Sequence, residues 1–434
     1  MESVEEWRRR KRAEIELIAA RVDDPPDPGP LPDPDAVVRA KLALRARVLA
    51  ATILRLPDLV ETNRLEADEM SVHDYRLVWR YQRFDLVLKG PEPYPGLMDG
   101  RPSVFRADWT SSGMGAIASV LLALQGLDRP VHLLAHHDAY FETLSTLRNL
   151  CPKLAVTVIP RGGSLHEAAR AARSGDRLVV WWGDSYSQRD PRPDLQALDG
   201  ALFDHVLFDS TCYEASSPRL RAVLDAAADN GLPLVLVRSH LKLDFLGVEW
   251  GRLGSMLHYV TPFLSAERIA RYRRLAASSA RTLRRIGATA VPLHLNPFAA
   301  DPGFHTLNRD RVARIVAANR RVAGALTETL AGAPVPVRTF HHGLFVTLGF
   351  FGTTVGPPSV RAASDDLVAT LRAAGLSARL ANSFAFDFVA VAPFRDSATG
   401  RDELRLAVPD WPEAWLDALA TQVARWARTT SRTG

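Results

Sequence analysis

Short apolar runs alternate with amphipathic stretches through the middle of the chain, from about residue 104 to residue 238. Apolar runs rich in β-branched residues predict strands, and they lie at Val131–Ala135, Ala155–Ile159, Leu178–Trp182, His205–Asp209 and Pro233–Arg238. The intervening stretches have helical spacing, at Gly113–Gln125, Tyr140–Leu150, Ser164–Arg173 and Ser217–Asn230. Strands that alternate with helices predict an α/β domain with a mainly parallel sheet flanked by helices.

The flanking regions follow different patterns. Residues 1–22 predict an amphipathic helix, residues 23–35 are a proline-rich linker, and a second helix follows. A long helical pattern at Asn308–Ala331 precedes a region in which strands and helices are mixed. Its predicted elements are strands Gly343–Phe350, Phe386–Ala392 and Glu403–Val408 and helices Ser364–Ala374 and Pro412–Thr429. We therefore expect a helical extension and linker over 1–100, a large α/β domain over 101–305 and a smaller α+β domain over 306–434.

The composition narrows the class of protein. With 47% apolar and 24% charged residues, the 434-residue chain resembles soluble globular proteins. The densest basic run, residues 8–12, alternates with acids and predicts a solvated helix face, so we expect no nucleic-acid partner. No apolar stretch approaches the roughly 18 residues that span a bilayer, and the acidic amino terminus lacks a signal peptide's apolar segment. We expect no membrane partner and a cytoplasmic location; Cys151 and Cys212 cannot form a disulfide framework.

Lysine is scarce. Of the 54 basic residues only five are lysine, and none follows Lys242. A lysine amine can lose its proton and form a Schiff base with a carbonyl group, which a guanidinium cannot do. Because Lys242 comes directly after an apolar strand, we interpret it as a chemically active amine; the alternative is a lysine in an ordinary turn.

Four groups of residues occupy predicted strand ends, where ligands bind in open α/β sheets: Ser111-Ser112-Gly113-Met114, Tyr140, Asp209 and Lys242. The first group opens a helix whose N–H groups suit a phosphate, and Tyr140 offers a ring on which a flat cofactor can stack. Asp209 closes a buried strand, where a carboxylate needs a cation such as a protonated pyridine nitrogen or else caps the helix near Ser216. Ser239 and Arg252 are spaced to bind a phosphate while Lys242 reaches a carbonyl carbon.

Two other kinds of site compete for these residues. Gly113-x-Gly115-x-x-Ala118 is a relaxed dinucleotide fingerprint, although the strand before it is polar for a central parallel strand. The adjacent histidines 136–137 and 341–342 suggest a metal site. Side chains of neighbouring residues on an extended segment point to opposite sides, so we expect no metal.

Together the motifs resemble the pyridoxal 5′-phosphate enzymes of the aspartate-aminotransferase fold (fold type I), and among them the cysteine/methionine-metabolism (trans-sulfuration) family. The resemblance covers roughly residues 75–410. The motifs that carry it are Tyr81-x-Arg83, Ser111-Ser-Gly-Met114, His137-Asp-Ala-Tyr140, Asp209-Ser-Thr211, Ser239-x-x-Lys242, Asn382-Ser383-Phe384 and Leu404-Arg405.

The resemblance implies a role for each matched residue. Lys242 would bind the cofactor and remove the substrate's α-proton, Asp209 would face the pyridine nitrogen, and Tyr140 would stack on the ring. The remaining cofactor contacts would be Ser112, Gly113, Met114, Thr211, Ser239 and Arg252, with Tyr81 and Arg83 binding the phosphate of a neighbouring subunit. Arg405, Ser383 and Asn382 would bind the amino-acid substrate. The family forms homodimers or tetramers with shared active sites, and we expect the same here.

Some segments depart from the family pattern. The family's lysine motif usually runs Ser-x-Thr-Lys, and Gly251-Arg252-Leu-Gly254 is more similar to class I and II aminotransferases. The segment Trp182–Ser187 replaces an expected Glu-x-Pro-x-Asn-Pro. We expect a β- or γ-elimination or replacement on an amino acid with a side-chain leaving group, in specialised metabolism. The alternatives are an aminotransferase, a nicotinamide-dependent oxidoreductase and a catalytically silent scaffold.

Overall fold

The computed structural model describes residues 2–54, 68–79, 87–94, 104–260, 264–349, 357–396 and 400–430. The helices in these ranges are α1 (Val4–Ala19), α2 (Pro34–Leu54), α3 (Gly113–Gln125), α4 (Phe141–Leu150), α5 (Leu165–Ala172), α6 (Arg192–Ala197), α7 (Pro218–Asp229), α8 (Ala266–Arg285), α9 (Pro302–Thr329), α10 (Pro357–Ala373) and α11 (Glu413–Thr430). The strands are β1 (Asp68–Val72), β2 (Tyr75–Trp79), β3 (Val87–Lys89), β4 (Val104–Thr110), β5 (Val131–His136), β6 (Ala155–Ile159), β7 (Leu178–Asp184), β8 (His205–Asp209), β9 (Leu234–Ser239), β10 (Gly254–Tyr259), β11 (Val337–Thr339), β12 (Val346–Gly349), β13 (Ala378–Leu380), β14 (Val389–Arg395) and β15 (Asp402–Ala407).

The contacts between Cα atoms divide the chain into two compact units. Unit 1 comprises Met1–Ala50, Phe245–Val248 and Gly303–Gly434, and unit 2 comprises Ala51–Asp244 and Glu249–Pro302. The first 50 residues therefore group with the carboxyl-terminal residues.

Unit 2 is built on a seven-stranded sheet of order β4-β10-β9-β8-β7-β5-β6. The five strands β5 to β9 are paired with one another in parallel. Strand β10 pairs antiparallel with both β9 and β4. The α/β architecture expected from the alternation of strands and helices is confirmed. The five predicted strands are present, and the polar strand β4 lies at the edge of the sheet, where fewer apolar side chains are needed.

The sheet of unit 2 has an apolar core on each face. Alternate side chains of β7 enter different clusters: Val179 and Trp181 pack into one, and Val180 and Trp182 pack into the other. This division follows from the two-residue period of a strand, and it requires apolar residues at successive positions. The run Leu178–Trp182 is continuous in hydrophobicity for that reason.

Unit 1 contains a five-stranded sheet of order β11-β12-β15-β14-β13, antiparallel except for the β13–β14 pair. Helices α1, α10 and α11 belong to the same unit, as do nearly all of α9 and most of α2. Helix α1 begins at a capping box, in which Ser3 Oγ accepts from the Glu6 backbone N–H and Glu6 accepts from the Ser3 backbone N–H. Two of the amide groups at the helix start are satisfied in this way.

The expectation that the basic run of α1 is a solvated face is wrong for Lys11, which is fully buried. Lys11 Nζ donates to Asp387 Oδ1 at 2.7 Å and to Asp410 Oδ2 at 2.9 Å, residues 376 and 399 positions further along the chain. A helical repeat cannot reveal partners this distant in sequence. Charges buried in this way are stable only when they are paired.

Lys11 belongs to a group of buried, paired side chains that we call the charge cluster, comprising Lys11, Glu14, Lys41, Arg311, Asp387 and Asp410. Lys41 Nζ donates to Asp387 Oδ2 and to the Leu246 carbonyl oxygen, each at 2.7 Å. Gly247 follows with φ +81°, and a Cβ atom there would stand 2.5 Å from Asp387 Oδ2. The loop 245–248 therefore approaches the cluster through backbone atoms, and glycine is required at position 247.

Candidate active site

Two carboxylates lie side by side where the parallel strands of unit 2 end. Asp184 ends β7 and Asp209 ends β8, and the two residues are paired in the register of the sheet. Both are more than nine-tenths buried. Burial, followed by the charge of Asp209, raises the pKa of Asp184 to about 7. Burial also raises the pKa of Asp209, against the lowering effect of hydrogen bonds from Thr211 and of the charges on Arg238 and Lys242. The hydrogen bonds and positive charges near this edge therefore offset the burial of the two carboxyl groups only in part.

A continuous set of contacts runs from Asp209 to the next strand end. Asp209 Oδ1 accepts from the Thr211 backbone N–H at 2.9 Å and from Thr211 Oγ1 at 2.5 Å. Thr211 Oγ1 in turn accepts from the Ser239 backbone N–H at 3.0 Å, so the threonine joins β8 to β9. These bonds fix the loop after Asp209 and the residue that ends β9.

The amino terminus of α3 lies against the same strand end. A Cβ atom on Gly113 would stand 2.8 Å from the Ser239 Cβ atom, and one on Gly254 would overlap the Ser112 carbonyl group. Both glycines are needed because backbone approaches backbone at these positions. Ser112 caps the helix by accepting from the Gly115 N–H at 3.0 Å. The first-turn N–H groups, including those of Gly113 and Met114, are of the kind that binds anions at helix starts.

Lys242 lies in the turn that follows β9, and its charge lowers the pKa of both Asp209 and Cys212. The exposed Arg252 lies two residues before Gly254, which starts β10 beside the α3 amino terminus. The structure thus gathers several of the expected cofactor-binding residues in one region. We call this region the strand-end site, comprising Ser112–Met114, Asp184, Asp209, Thr211, Ser239 and Lys242.

Tyr140 is attached to the strand-end site through Asp184. Its backbone N–H donates to Asp184 Oδ2 at 3.1 Å, while Asp184 Oδ1 accepts from the Tyr186 and Ser187 backbone N–H groups at 3.0 and 2.8 Å. The Tyr140 ring meets the Tyr186 ring edge to face, with 5.2 Å between centroids. Burial raises the pKa of the Tyr140 hydroxyl well above its usual value. The hydroxyl therefore keeps its proton at neutral pH.

The expected substrate-binding residues belong to unit 1. Arg405 lies on β15, opposite Thr347 and Ala392, and is mostly buried. Its Nη2 donates to the Ala381 carbonyl oxygen at 3.4 Å, and its guanidinium lies 5.3 Å from the centre of the Phe345 ring. Asn382 and Ser383 directly follow Ala381. The contact with Ala381 brings Arg405 close to the backbone that directly precedes this pair.

Tyr81 and Arg83 lie outside the described residues. Among the residues that the structure describes, no group of three or more histidine, cysteine, aspartate or glutamate side chains is arranged to hold a metal ion. None of the described helices is both long and apolar enough to cross a membrane.

The dinucleotide fingerprint lacks its usual structural setting. It lies at the start of α3, between β4 and β5, but β10, β9, β8 and β7 separate these two strands in the sheet. In a dinucleotide-binding βαβ unit, the glycine turn connects strands of a parallel arrangement near the switch point. Here β4 pairs only with the antiparallel β10 among the described strands.

Sequence reasoning assigned no role to Asp184 or to three residues near Lys242, namely Arg238, His240 and Asp244. Asp184 ends a buried apolar strand just as Asp209 does, so the signal that singled out Asp209 was present there as well. Arg238 is an arginine inside an apolar strand, which needs a buried anion for the same reason. No local pattern indicates which anion that is.

Many solved structures resemble this chain. One is a cystathionine gamma synthase from Xanthomonas oryzae pv. oryzae in complex with cystathionine, with a TM-score of 0.52 and 19% identity, covering 75% of this chain and 82% of that one. Another is apo CalE6, a methionine gamma lyase from Micromonospora echinospora, with a TM-score of 0.52 and 19% identity, covering 80% and 88%. Neither a family model nor a curated protein sequence matches the chain. At this identity the likeness concerns the fold, and the expected fold type I architecture is confirmed.

Proposed function

We propose that this chain binds pyridoxal 5′-phosphate and catalyses an elimination or replacement at the β- or γ-carbon of an amino acid. The observation that carries the proposal is the strand-end site itself. An amine (Lys242), a buried acid (Asp209) and a helix amino terminus (Ser112–Met114) converge there, joined through Thr211, Ser239 and Gly113.

The residues present fit the three functional groups of this cofactor, which are the phosphate, the pyridine nitrogen and the aldehyde. The α3 amino terminus offers N–H groups for the phosphate, and Gly113 and Gly254 keep that region free of side chains that would fill it. Asp209 is a buried carboxylate whose pKa is raised by burial, so a protonated pyridine nitrogen would be its natural partner. Lys242 supplies the only kind of side chain that condenses reversibly with an aldehyde.

When bound, pyridoxal phosphate supplies an electron sink for a carbanion at the substrate α-carbon. Lys242 Nζ would accept the α-proton, since an amine freed by the substrate is a competent base. Asp209 would hold a proton on the pyridine nitrogen. Tyr140, tethered by its backbone to Asp184, would cover the ring and keep a hydroxyl proton available for a leaving group. The assignment of Arg405, Ser383 and Asn382 to the substrate carboxylate stays a prediction.

The reaction type takes its support from the similar structures. One is named a synthase and was solved with cystathionine, and another is named a methionine gamma lyase. Both names describe chemistry at a sulfur-bearing side chain. We propose the same general class of substrate for this chain, an amino acid with a side-chain leaving group.

The cofactor is tested by adding pyridoxal phosphate to wild type, Lys242→Ala and Lys153→Ala, followed by borohydride reduction and peptide mass spectrometry. Lys153 is exposed and serves as the matched lysine control. We expect a visible absorption band in wild type and Lys153→Ala, with the added mass on the Lys242 peptide. A wild-type protein that stays colourless, or that carries the mass on surface lysines alone, would refute the proposal.

The reaction is tested by incubating the loaded protein with cystathionine or methionine and measuring keto acids, ammonia and released thiols. Elimination predicts a keto acid, ammonia and a thiol in equal amounts, without any added acceptor. A keto acid that keeps its side chain and forms only with a second keto acid present would instead identify an aminotransferase.

A homodimer or tetramer with shared sites stays part of the proposal, through Tyr81 and Arg83. Light scattering gives the mass of the assembly. If sites are shared, mixing inactive Lys242→Ala and Arg83→Ala subunits should restore activity. In a random mixture half of the dimers are mixed and each has one intact site, so up to about a quarter of all sites are restored. Mixed subunits without any regained activity would contradict shared sites.

A further inference from the structure

The segment that carries Lys242 is closed by a buried ion pair. Arg238, near the end of β9, is 1% exposed, and its Nε and Nη2 donate to Asp244 Oδ2 and Oδ1 at 2.6 and 2.8 Å. Lys242 lies between these two partners. Two parallel bonds of this kind fix orientation as well as distance. The ends of segment 238–244 are therefore held together.

His240 adds a second attachment to Asp244 and one to β10. Its Nδ1 lies 2.8 Å from Asp244 Oδ2, and its Nε2 lies 2.8 Å from Ser255 Oγ on β10. An ionised Asp244 only accepts, so Nδ1 carries the proton and Nε2 accepts from the serine hydroxyl. Residues 240 and 244 flank Lys242 by two positions on either side, so the backbone around it is tied to β10.

The closed segment is also joined to the loop that follows Asp209. Arg238 Nη1 donates to the Ser210 carbonyl oxygen at 2.8 Å and also contacts the Tyr213 carbonyl oxygen. On the other side, Asn296 Nδ2 donates to the Asp244 carbonyl oxygen at 3.0 Å. A single guanidinium thus connects the segment of the candidate amine to the loop after the candidate acid.

We propose that Asp244 is a positioning residue: with Arg238 and His240 it closes segment 238–244 and so holds the Lys242 amine in place for the aldehyde of the cofactor. This proposal rests on the proposed function and deepens it. Asp244 itself acts through the backbone on both sides of Lys242 and touches no reacting atom.

The ion pair between Arg238 and Asp244 persists at and around neutral pH. Burial alone would raise the pKa of Asp244, but the Arg238 guanidinium and the His240 hydrogen bond hold it well below its usual value. Burial lowers the pKa of His240 despite the neighbouring Asp244. Asp244 therefore stays charged, and the closed geometry does not depend on a proton near neutrality.

The test compares Asp244→Asn with Asp204→Asn. Asp204 is a matched control because it is equally an arginine-paired, mostly buried aspartate of unit 2, but it precedes β8 and thus lies at the opposite end of that strand from Asp209. The measurements are the dissociation constant of pyridoxal phosphate, from borohydride-trapped mass on Lys242, and the induced circular dichroism per bound cofactor. Melting temperature is recorded for each variant.

We expect Asp244→Asn to weaken cofactor binding at least about tenfold, as when a residue that orients a binding group is removed. The induced circular dichroism should fall as well, because it depends on a fixed orientation. Asp204→Asn should lower the melting temperature but leave both cofactor measurements within about twofold. Equal effects of the two variants, or no effect of Asp244→Asn, overturn the positioning role.

The histidine provides a second pair of variants if Asp244→Asn does not fold. An asparagine amide nitrogen overlays Nδ1, and a glutamine amide nitrogen overlays Nε2, so His240→Asn keeps the bond to Asp244 while His240→Gln loses it. We expect weaker binding in His240→Gln and rescue in His240→Asn. Wild type that traps no cofactor on Lys242 would instead refute the proposed function, and the positioning role with it.

Discussion

Two regions of this chain bury aspartates beside lysines: the charge cluster of unit 1 and the strand-end site of unit 2. In the cluster, Lys11 and Lys41 hold the pKa of Asp387 well below its usual value even though burial alone would raise it. In the strand-end site, burial raises the pKa of Asp209, and the nearby Lys242 and Arg238 offset only part of that rise. Burial is similar in the two regions, so the number and closeness of the cations decide the direction of the shift.

The difference distinguishes carboxylates that are closely paired with cations from carboxylates whose burial is offset only in part. Asp387 and Asp410 meet Lys11, Lys41 and Arg311 at 2.7 to 3.3 Å, which leaves little electrostatic free energy to be gained from anything else. Asp184 and Asp209 lie next to each other, and that repulsion would be relieved by a bound cation. Buried carboxylates with raised pKa values are often found at functional sites.

The comparison is tested most strongly by Asp387→Asn. It leaves Lys11, Lys41 and Arg311 with too little buried negative charge, and breaking such a pair typically costs about 3–5 kcal/mol of unfolding free energy. Urea unfolding at neutral pH measures the loss. The control is Asp417→Asn, which breaks an exposed pair with Arg321 and should cost less than about 1 kcal/mol. A loss as small as that of the control would remove the cluster's structural role.

A second prediction concerns the buried His205, which begins β8 at the opposite end from Asp209. Burial lowers the pKa of His205 to about 4, with Asp204 raising it and Arg268 and Arg271 lowering it further. A lowered folded-state pKa means that the neutral form is favoured, so stability is present above the unfolded value of about 6.5 and is lost as pH falls toward 4. We expect about 3 kcal/mol of acid destabilisation, which His205→Phe should remove. An unchanged pH dependence of urea unfolding in the variant would contradict this account.

The smallest expected effect is a change in how steeply the unfolding free energy varies with pH. Asp184 has a raised pKa of about 7 in the fold, so the stability it contributes is present at acid pH and lost as pH rises through 7. Asp184→Asn removes this pH-dependent contribution. Relative to wild type, the unfolding free energy of the cofactor-free variant should therefore rise by up to about 1.4 kcal/mol per pH unit between pH 5 and 7. Any hydrogen bond lost in the variant gives an offset independent of pH.

The charge cluster supplies the control for this slope. The pKa of Asp410 is about 2, because Lys11 and Arg10 outweigh burial. The stability that Asp410 contributes is fully present above the pKa of an aspartate in the unfolded chain and falls only in stronger acid. The loss of unfolding free energy in Asp410→Asn should therefore not change between pH 5 and 7. Parallel pH profiles for the two variants would mean that the two regions do not differ as described.

Several features of the fold and site were predictable because they are local. The runs at Leu178–Trp182 and His205–Asp209 could only be strands buried on both faces, and the residues that end them follow directly from the alternation. Other elements were missed: β10 was not predicted, because its short run after Gly251 and Gly254 contains a histidine and suggests a loop. Its antiparallel pairing with β9 and β4 depends on neighbours that its own sequence does not specify.

The scarcity of lysine shows both the reach and the limit of sequence reasoning. It directed attention to Lys242 as a chemically active amine, but it gave no sign that Lys11 and Lys41 belong to a buried ion-pair cluster. A compact ammonium fits between several carboxylates, and this is a second reason, besides amine chemistry, to retain a lysine. The sequence alone cannot tell these reasons apart.

By itself the sequence determined the α/β alternation, the identity of the residues at the strand ends, and the presence of an amine and an acid among them. Those features depend on periodicity and on immediate neighbours. The tertiary structure decided that Asp184 lies beside Asp209, that Arg238 pairs with Asp244 around Lys242, and that Lys11 is buried against residues near the other end of the chain. Burial and charge pairing arise from contacts between distant residues, and their free energy depends on distances that only the folded chain sets.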